Sequence, residues 1–459
     1  MRTCYILPVV ALTLLLTACN TEPTSQATTT TQSTAAPTQP HVHAWVPEVT
    51  PPTCTEAGFT TDRCDCGETK QRDLVDALGH AEGQWEQIVA PTKTEPGLQQ
   101  LFCEVCETML REEELPATGS LGLVYEANED GLTCTLVSAG ECTDEEVIVP
   151  AYFQGMKITA IGDNAFAGNQ TMTQIYIPAN IEIIGTGIFT GCTALKTVYY
   201  DSAYSDLANP FLAEPSIENV VFNASVVPDY ICMNMKNIKT IRLGENVTAI
   251  GIASFRGTAI TDMTIPETVT TIGVYAFTNC VELTAIVIPE SVTSIGDYAF
   301  LGCWKAESLV LPGSLTEIGA YVFESCNALK EVIIPEGVTK IGFCSFYGCI
   351  NLERLVLADT VTEVGDYAFA YNSVLTQVVL PEGLVRIGDS AFAGCEALTE
   401  ICIPSTVTQI AMRAFLGNLE MVAIHFNGTI AQWETIEKGE NWDKMTGELV
   451  IYCTDGQIP

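Results

Sequence analysis

"IPESVTSIGDYAFLGC", residues 288–303, has near-copies at 265–280, 311–326, 334–349 and 380–395. Phe277, Phe300, Phe323, Phe346, Phe369, Phe392 and Phe415 each stand 23 residues from the next, and Gly273, Gly296, Gly319, Gly342, Gly365 and Gly388 keep the same step. A fixed period of roughly 20–30 residues marks a solenoid, in which each unit buries its apolar edge only against its neighbours. One linear core is expected to replace the separate globular cores that 459 residues would otherwise hold.

Within one unit, "LTAIVIPESVTSIGDYAFLGC", Ile286-Val287-Ile288 is closed by Pro289, which has no N–H for a strand ladder. The pattern predicts a short strand, and stacked strands predict a narrow parallel sheet. Val292 and Ile295 follow at i and i+3, Gly296 is expected to permit a tight bend, and Ala299 and Phe300 turn back inward. Burial of each Phe contributes roughly 1.5–3 kcal/mol, so phenylalanines in phase form an aromatic spine. At the next fixed position Cys192, Cys280, Cys303, Cys326, Cys349 and Cys395 exchange with Asn169, Asn372 and Asn418. Either residue can bond the backbone of a bend. A disulfide ladder fits poorly, because coils about 4.8 Å apart exceed the typical Cβ separation of about 3.8 Å; buried thiols are expected.

These motifs resemble the 23-residue leucine-rich repeats of BspA-like bacterial surface proteins. "CTDEEVIVPAYFQGMKITAIGDNAFAGN" (142–169) resembles the N-terminal cap and first coil of that family, and "IHFNGTIAQWETIEKGENWDKMTGELVIYCTDGQI" (424–458) resembles its C-terminal segment. The likeness runs over about 120–459 and is strongest over 241–420; "DSAYSDLANPFLAEPS" breaks the period within 197–240. The resemblance implies an α/β-type solenoid, mainly short parallel β-strands, with a cap at 120–160, repeats at 161–420 and a second cap at 421–459. It also implies export to the cell surface, and its better-known members are adhesins for host matrix proteins or other bacteria.

The chain opens "MRTCYILPVVALTLLLTAC", with one early Arg, an apolar run from Tyr5 to Leu16 and a small-residue site before Cys19. This reads as a secretory signal over 1–18. Leu16-Thr17-Ala18-Cys19 resembles the lipobox of bacterial lipoproteins, in which the Cys carries the lipid; a signal with an accidental Cys is the alternative. Residues 19–40, rich in Thr, Ser, Pro, Gln and Ala, have little to bury and read as a flexible tether. No later apolar run reaches the roughly 18 residues a membrane span needs, so a lipid at Cys19 is the expected membrane attachment. Net charge is −36, from 56 acidic against 20 basic residues. That balance argues against charge-driven binding of nucleic acid or an anionic bilayer.

Between tether and solenoid stand two related segments, 41–80 and 81–118. "PTCTEAGFTTDRCDCGE" (52–68) aligns with "PTKTEPGLQQLFCEVCE" (91–107), and Gly58 to Cys64 spans the same distance as Gly97 to Cys103. The first copy offers His43, Cys54, Cys64 and Cys66, four ligands of the kind tetrahedral zinc accepts. The second has Lys93 in the place of Cys54 and keeps His80, Cys103 and Cys106. Structural zinc in the first module and disulfides or thiols in an oxidising compartment both remain open. The pattern resembles small Cys/His repeats near the N-terminus of surface proteins of Gram-positive gut bacteria. "LPATG" at Leu115–Gly119 matches a wall-sorting pentapeptide by letter, but most of the chain follows it, so a loop between domains is expected.

Catalysis finds little support. Of four His, only His425 falls in the solenoid, which starves Ser/His/Asp and Cys/His sites of a base. Glu267, Glu290, Glu336 and Glu382 recur in phase as a solvated ladder, not as a pair singled out for chemistry. A non-catalytic, cofactor-free recognition protein for a protein or polysaccharide ligand is the leading expectation, and a self-associating surface spacer is the alternative. Thr264, Val287, Val310, Ile333, Val356, Val379 and Cys402, between the inward strand positions, are expected to form an apolar line on the open face, rimmed by Glu331, Arg354, Gln377 and Glu400. β-propensity alone would also favour such residues. Tyr275, Tyr298, Tyr321 and Tyr367 form a second line on another face.

Overall fold

The computed structural model describes residues 42–204 and 216–459. The signal segment, Cys19, the tether and His41 lie outside the described residues. The described residues divide into two compact units: 42–81 with 104–106, and 82–103 with 107–204 and 216–459. Among the described residues no helix is long and apolar enough to cross a membrane.

In the first unit, β1 (Val46–Thr50), β2 (Gly58–Arg63) and β3 (Thr69–Val75) form an antiparallel meander. The second unit begins with a like meander of β4 (Glu82–Val89), β5 (Gly97–Cys103) and β6 (Met109–Leu115). Their kinship extends to single hydrogen bonds. The N–H groups of Leu78 and Gly79 donate to the carbonyls of Thr53 and Cys54, as those of Thr118 and Gly119 do to Thr92 and Lys93. Gly58 and Gly97 serve the same purpose, since a Cβ on either would collide with the backbone of Pro52 or Pro91. Within the Leu115–Gly119 pentapeptide, Leu115 ends β6 and the Gly119 N–H bonds Lys93, so the segment is an interior connection.

The remainder of the second unit is a stack of coils of about 23 residues. All but one of the complete coils among the described residues carry two parallel strands. The longer one is the strand the sequence predicts: Glu331–Ile334, Arg354–Leu357 and Gln377–Val379 pair in register, Glu331 against Arg354 and Val332 against Leu355. The shorter one also pairs in parallel, Thr271–Ile272 with Ser294–Ile295 in one sheet and Glu317–Ile318 with Lys340–Ile341 in another, a pairing that the spacing of Val292 and Ile295 did not reveal. The returning side consists of turns; among the described residues the sole α-helix is α1 (Ile430–Thr435), opened by a capping box between Thr429 and Gln432. The coil holding Thr264 lacks an assigned long strand; Asp262, a residue depleted from sheets, stands at its opening position.

Gly296 does not make the bend expected of it. The left-handed backbone falls two residues later, at Tyr298 (φ 61°), and likewise at Tyr275, Tyr321 and Tyr367. Glycine recurs because the coils touch there: a Cβ on Gly273 would lie 2.6 Å from the Gly251 carbonyl carbon, and one on Gly342 2.7 Å from that of Gly319.

The seven in-phase phenylalanines are all buried, with ring centroids 4.9 Å apart between Phe277 and Phe300 and 5.8 Å between Phe392 and Phe415. Phe255 extends this spine toward the N-terminus, 5.3 Å from Phe277, and Trp442 closes it edge-on against Phe415. The stretch over 197–240 keeps the strand register despite its blurred period, with Thr197–Tyr200, Asn219–Phe222 and Thr240–Leu243 paired in parallel.

Candidate functional site

Each long strand alternates between core and solvent. In Ala285–Val287 and the residue after it, Ile286 and Ile288 are buried and Val287 is exposed; in Glu331–Ile334, Val332 and Ile334 are buried and Ile333 is exposed. Val287, Val310, Ile333 and Val379 are each 50–53% exposed, and Val356 is half-buried. Register joins them across coils: Val287 pairs with Val310, and Ile333 with Val356 and then Val379. Cys402 is exposed and pairs with His425, which pairs with Tyr452. Thr264 is exposed but lies outside any paired strand, so it extends the line without sharing the sheet.

Two positions earlier on each strand, Glu331, Arg354 and Gln377 form a parallel polar column on the same face. Glu331 and Arg354 are ion-paired, and Glu400 lies 3.3 Å from the His425 imidazole. An apolar column thus runs beside a charged one over the regular coils.

Toward the N-terminal coils the same face becomes aromatic. Tyr176 pairs with Tyr199, and their rings stack at 4.0 Å and 5°. Tyr199, Val221 and Arg242, with Thr197, Asn219 and Thr240, line a shallow depression. At the other end His425 stacks on Tyr452 at 5.2 Å. The sequence reading missed these flanks. Their signal was the strand position itself, present in "QIYIP", "TVYYD" and "TIRLG" but hidden by the broken period.

The tyrosine line occupies another face. Tyr275, Tyr298 and Tyr321 stack successively at 4.7 and 4.5 Å, and Phe343 interrupts the stack before Tyr367. All four tyrosines are half-buried, and burial pushes the Tyr298 and Tyr321 hydroxyls above their ordinary range.

The four expected metal ligands of the first module do not form one group. The ligand atoms of His43, Cys64 and Cys66 lie within 4.8 Å of one another, whereas Cys54 converges with His80 and Cys106. The reason is local: the Thr53 and Cys54 carbonyls accept the Leu78 and Gly79 N–H groups, which draws the Cys54 loop to the residue before His80. His43 Nδ1 lies 3.3 Å from Cys66 Sγ, and its Nε2 lies 3.3 Å from a Glu68 carboxylate oxygen. His80 Nδ1 stands 3.3 Å from Cys106 Sγ, so both modules present imidazole to thiol in the same way.

The profile of the BspA type leucine rich repeat region matches in overlapping blocks over 159–281, 248–376 and 316–436. Among solved structures, a leucine-rich cell surface protein from Faecalibacterium prausnitzii is 26% identical, with 71% of this chain and 98% of that one covered and a TM-score of 0.37. A leucine-rich repeat protein from Bacteroides ovatus is 22% identical over 71% and 91% of the two chains, with a TM-score of 0.45. The pneumococcal vaccine antigen PcpA is 14% identical over 72% and 97%, with a TM-score of 0.41. No curated protein matches the chain. The matched blocks, the 23-residue step and the paired coils together place this chain in the BspA-type leucine-rich repeat family.

Proposed function

We propose that this protein is an exported, lipid-anchored recognition protein of the cell surface, without catalytic activity, that captures a protein or polysaccharide through the long-strand face of its solenoid. The observation that carries this reading is the register of Val287 with Val310 and of Ile333 with Val356 and Val379: half-exposed apolar side chains aligned across coils. β-propensity accounts for Val and Ile on a strand, but an apolar column left half-exposed across several coils is also the usual mark of an interaction site. The neighbouring charged column supplies the polar rim that interfaces carry. Stacked Tyr176 and Tyr199 add rigid amphipathic rings suited to contact. Cys19 would carry the anchor, and the tether would hold the face clear of the envelope.

The test is saturable binding of the purified protein to an array of matrix proteins, glycans and bacterial envelope preparations in physiological salt, beside the Val310→Glu, Ile333→Glu variant. Both side chains are half-exposed, so the variant should keep its fold by circular dichroism. Binding lost in the variant supports the reading. Binding that survives removes the strand face from it, and no binding to any surface favours the self-associating spacer.

A further inference from the structure

We propose that Cys54, His80 and Cys106 are ligands of a structural zinc ion, with Cys103 as the fourth donor through the Cys-x-x-Cys spacing it shares with Cys106. This goes beyond the recognition reading and does not depend on it. Three facts carry the assignment. The ligand atoms of Cys54, His80 and Cys106 already converge within 4.8 Å, and His80 Nδ1 stands 3.3 Å from Cys106 Sγ. Zn–S bonds of about 2.3 Å and Zn–N bonds of about 2.0–2.1 Å in a tetrahedron set N···S edges of about 3.6 Å and S···S edges of about 3.8 Å. The observed convergence is of that size. Three thiolates and one imidazole also make a closed set, the kind structural zinc uses, with no position left for a substrate.

The third fact is the residue that replaces Cys54 in the second module. Lys93 occupies the same loop, and its carbonyl accepts from Gly119 as that of Cys54 accepts from Gly79. Lys93 Nζ reaches forward to Asp144 at 2.6 Å, in the first turns of the solenoid cap. In both modules this loop side chain therefore engages what comes next in the chain. Where the following segment offers His80 and a thiol, the loop carries a thiol; where it offers a carboxylate, the loop carries an ammonium. As the metal binds, each cysteine thiol gives its proton to solvent and forms a sulfur–zinc bond, so assembly releases protons. His43, Cys64 and Cys66 form a separate three-donor group, with Glu68 on the far nitrogen of the imidazole.

The experiment uses the full chain purified without chelator, with zinc measured by elemental mass spectrometry and cobalt(II) substituted as a spectroscopic probe. Bound zinc, tetrahedral cobalt bands with thiolate charge transfer, and loss of about one equivalent in Cys54→Ser but not in His43→Ala are expected. Cys54→Ser with undiminished zinc would overturn the assignment. So would a wild-type chain that takes up neither metal, or non-reducing peptide maps with Cys54, Cys103 or Cys106 in a disulfide. Should Cys54→Ser misfold, chelation of the wild-type chain decides: amide exchange should rise at 53–57, 78–82 and 103–108 and stay unchanged in the solenoid. No change at those segments sinks the proposal.

Discussion

Cys303 gives its thiol hydrogen to the backbone carbonyl of Phe277, 3.4 Å away and one coil back. The bond recurs from Cys192 to Phe166, Cys280 to Phe255, Cys326 to Phe300, Cys349 to Phe323 and Cys395 to Phe369. Asn372 replaces the thiol with an amide, whose Nδ2 donates to Phe346 and Phe369 at 3.2 and 2.9 Å. At Asn372 the amide thus replaces the thiol as donor to one buried carbonyl, whereas Asn418 and Asn169 act at the same position as acceptors, from the N–H groups of Cys395 and of Thr171 and Met172.

That relationship orders the stabilities of variants. The Oδ1 of Asn372 is buried without a hydrogen-bond partner. Asn372→Cys keeps a donor for the Phe346 carbonyl and removes the orphaned acceptor, and should stabilise by about 1 kcal/mol. Cys303→Asn should destabilise by about 1–3 kcal/mol by creating such an acceptor. Shifts of the urea midpoint in opposite directions are the expected readout; shifts of the same sign contradict the account.

Phe300 stands between Phe277 and Phe323, at 4.9 and 5.6 Å. Phe300→Ala should destabilise by about 3–5 kcal/mol, because the cavity is shared by two coil interfaces. Each coil touches only its neighbours, so amide exchange should accelerate around 277–323 and much less near Phe166. Uniform acceleration throughout would mean that the solenoid unfolds as one unit.

Burial pushes the thiols of Cys280 and Cys395 up to about 12, while Cys402 is exposed on the strand face. At neutral pH the two buried groups stay protonated and lack the thiolate an alkylating agent needs. Iodoacetamide should mark Cys402 in the native protein and reach Cys280 and Cys395 only in denaturant, as read by peptide mass mapping. Equal native labelling of all three would show that the coils open readily.

Asp62 is buried in the first meander and accepts from Arg72 Nε at 2.8 Å; that hydrogen bond, aided by charge, holds its carboxyl below the usual carboxylate range. A folded value below the unfolded one means that its stabilisation is complete above the unfolded value, near 3.9. It is lost as pH falls through the folded value. The melting difference between wild type and Asp62→Asn should be constant at neutral pH and close below about pH 4. A difference that persists to lower pH would place the Arg72 contact outside the energetics.

The repeat itself determined much of this protein. A 23-residue step with Phe, Gly and Cys in phase admits one way of burying them, coil upon coil, and the strand before each Pro follows from alternation at Ile286, Val287 and Ile288. The outward column from Val287 to Cys402 was legible for the same reason: alternation assigns faces without knowledge of neighbours. What the tertiary structure alone decided depends on approach between residues that no period relates. Gly296 reads as a bend in sequence, yet it is the close passage of the coil before it that excludes a side chain, while Tyr298 takes the left-handed turn. Tyr199 and Arg242 share a depression only because strands on both sides of an irregular stretch keep register. Cys54 sits beside Cys64 and Cys66 in sequence but beside His80 and Cys106 in space, because two backbone hydrogen bonds turn its loop toward the residues that follow the meander.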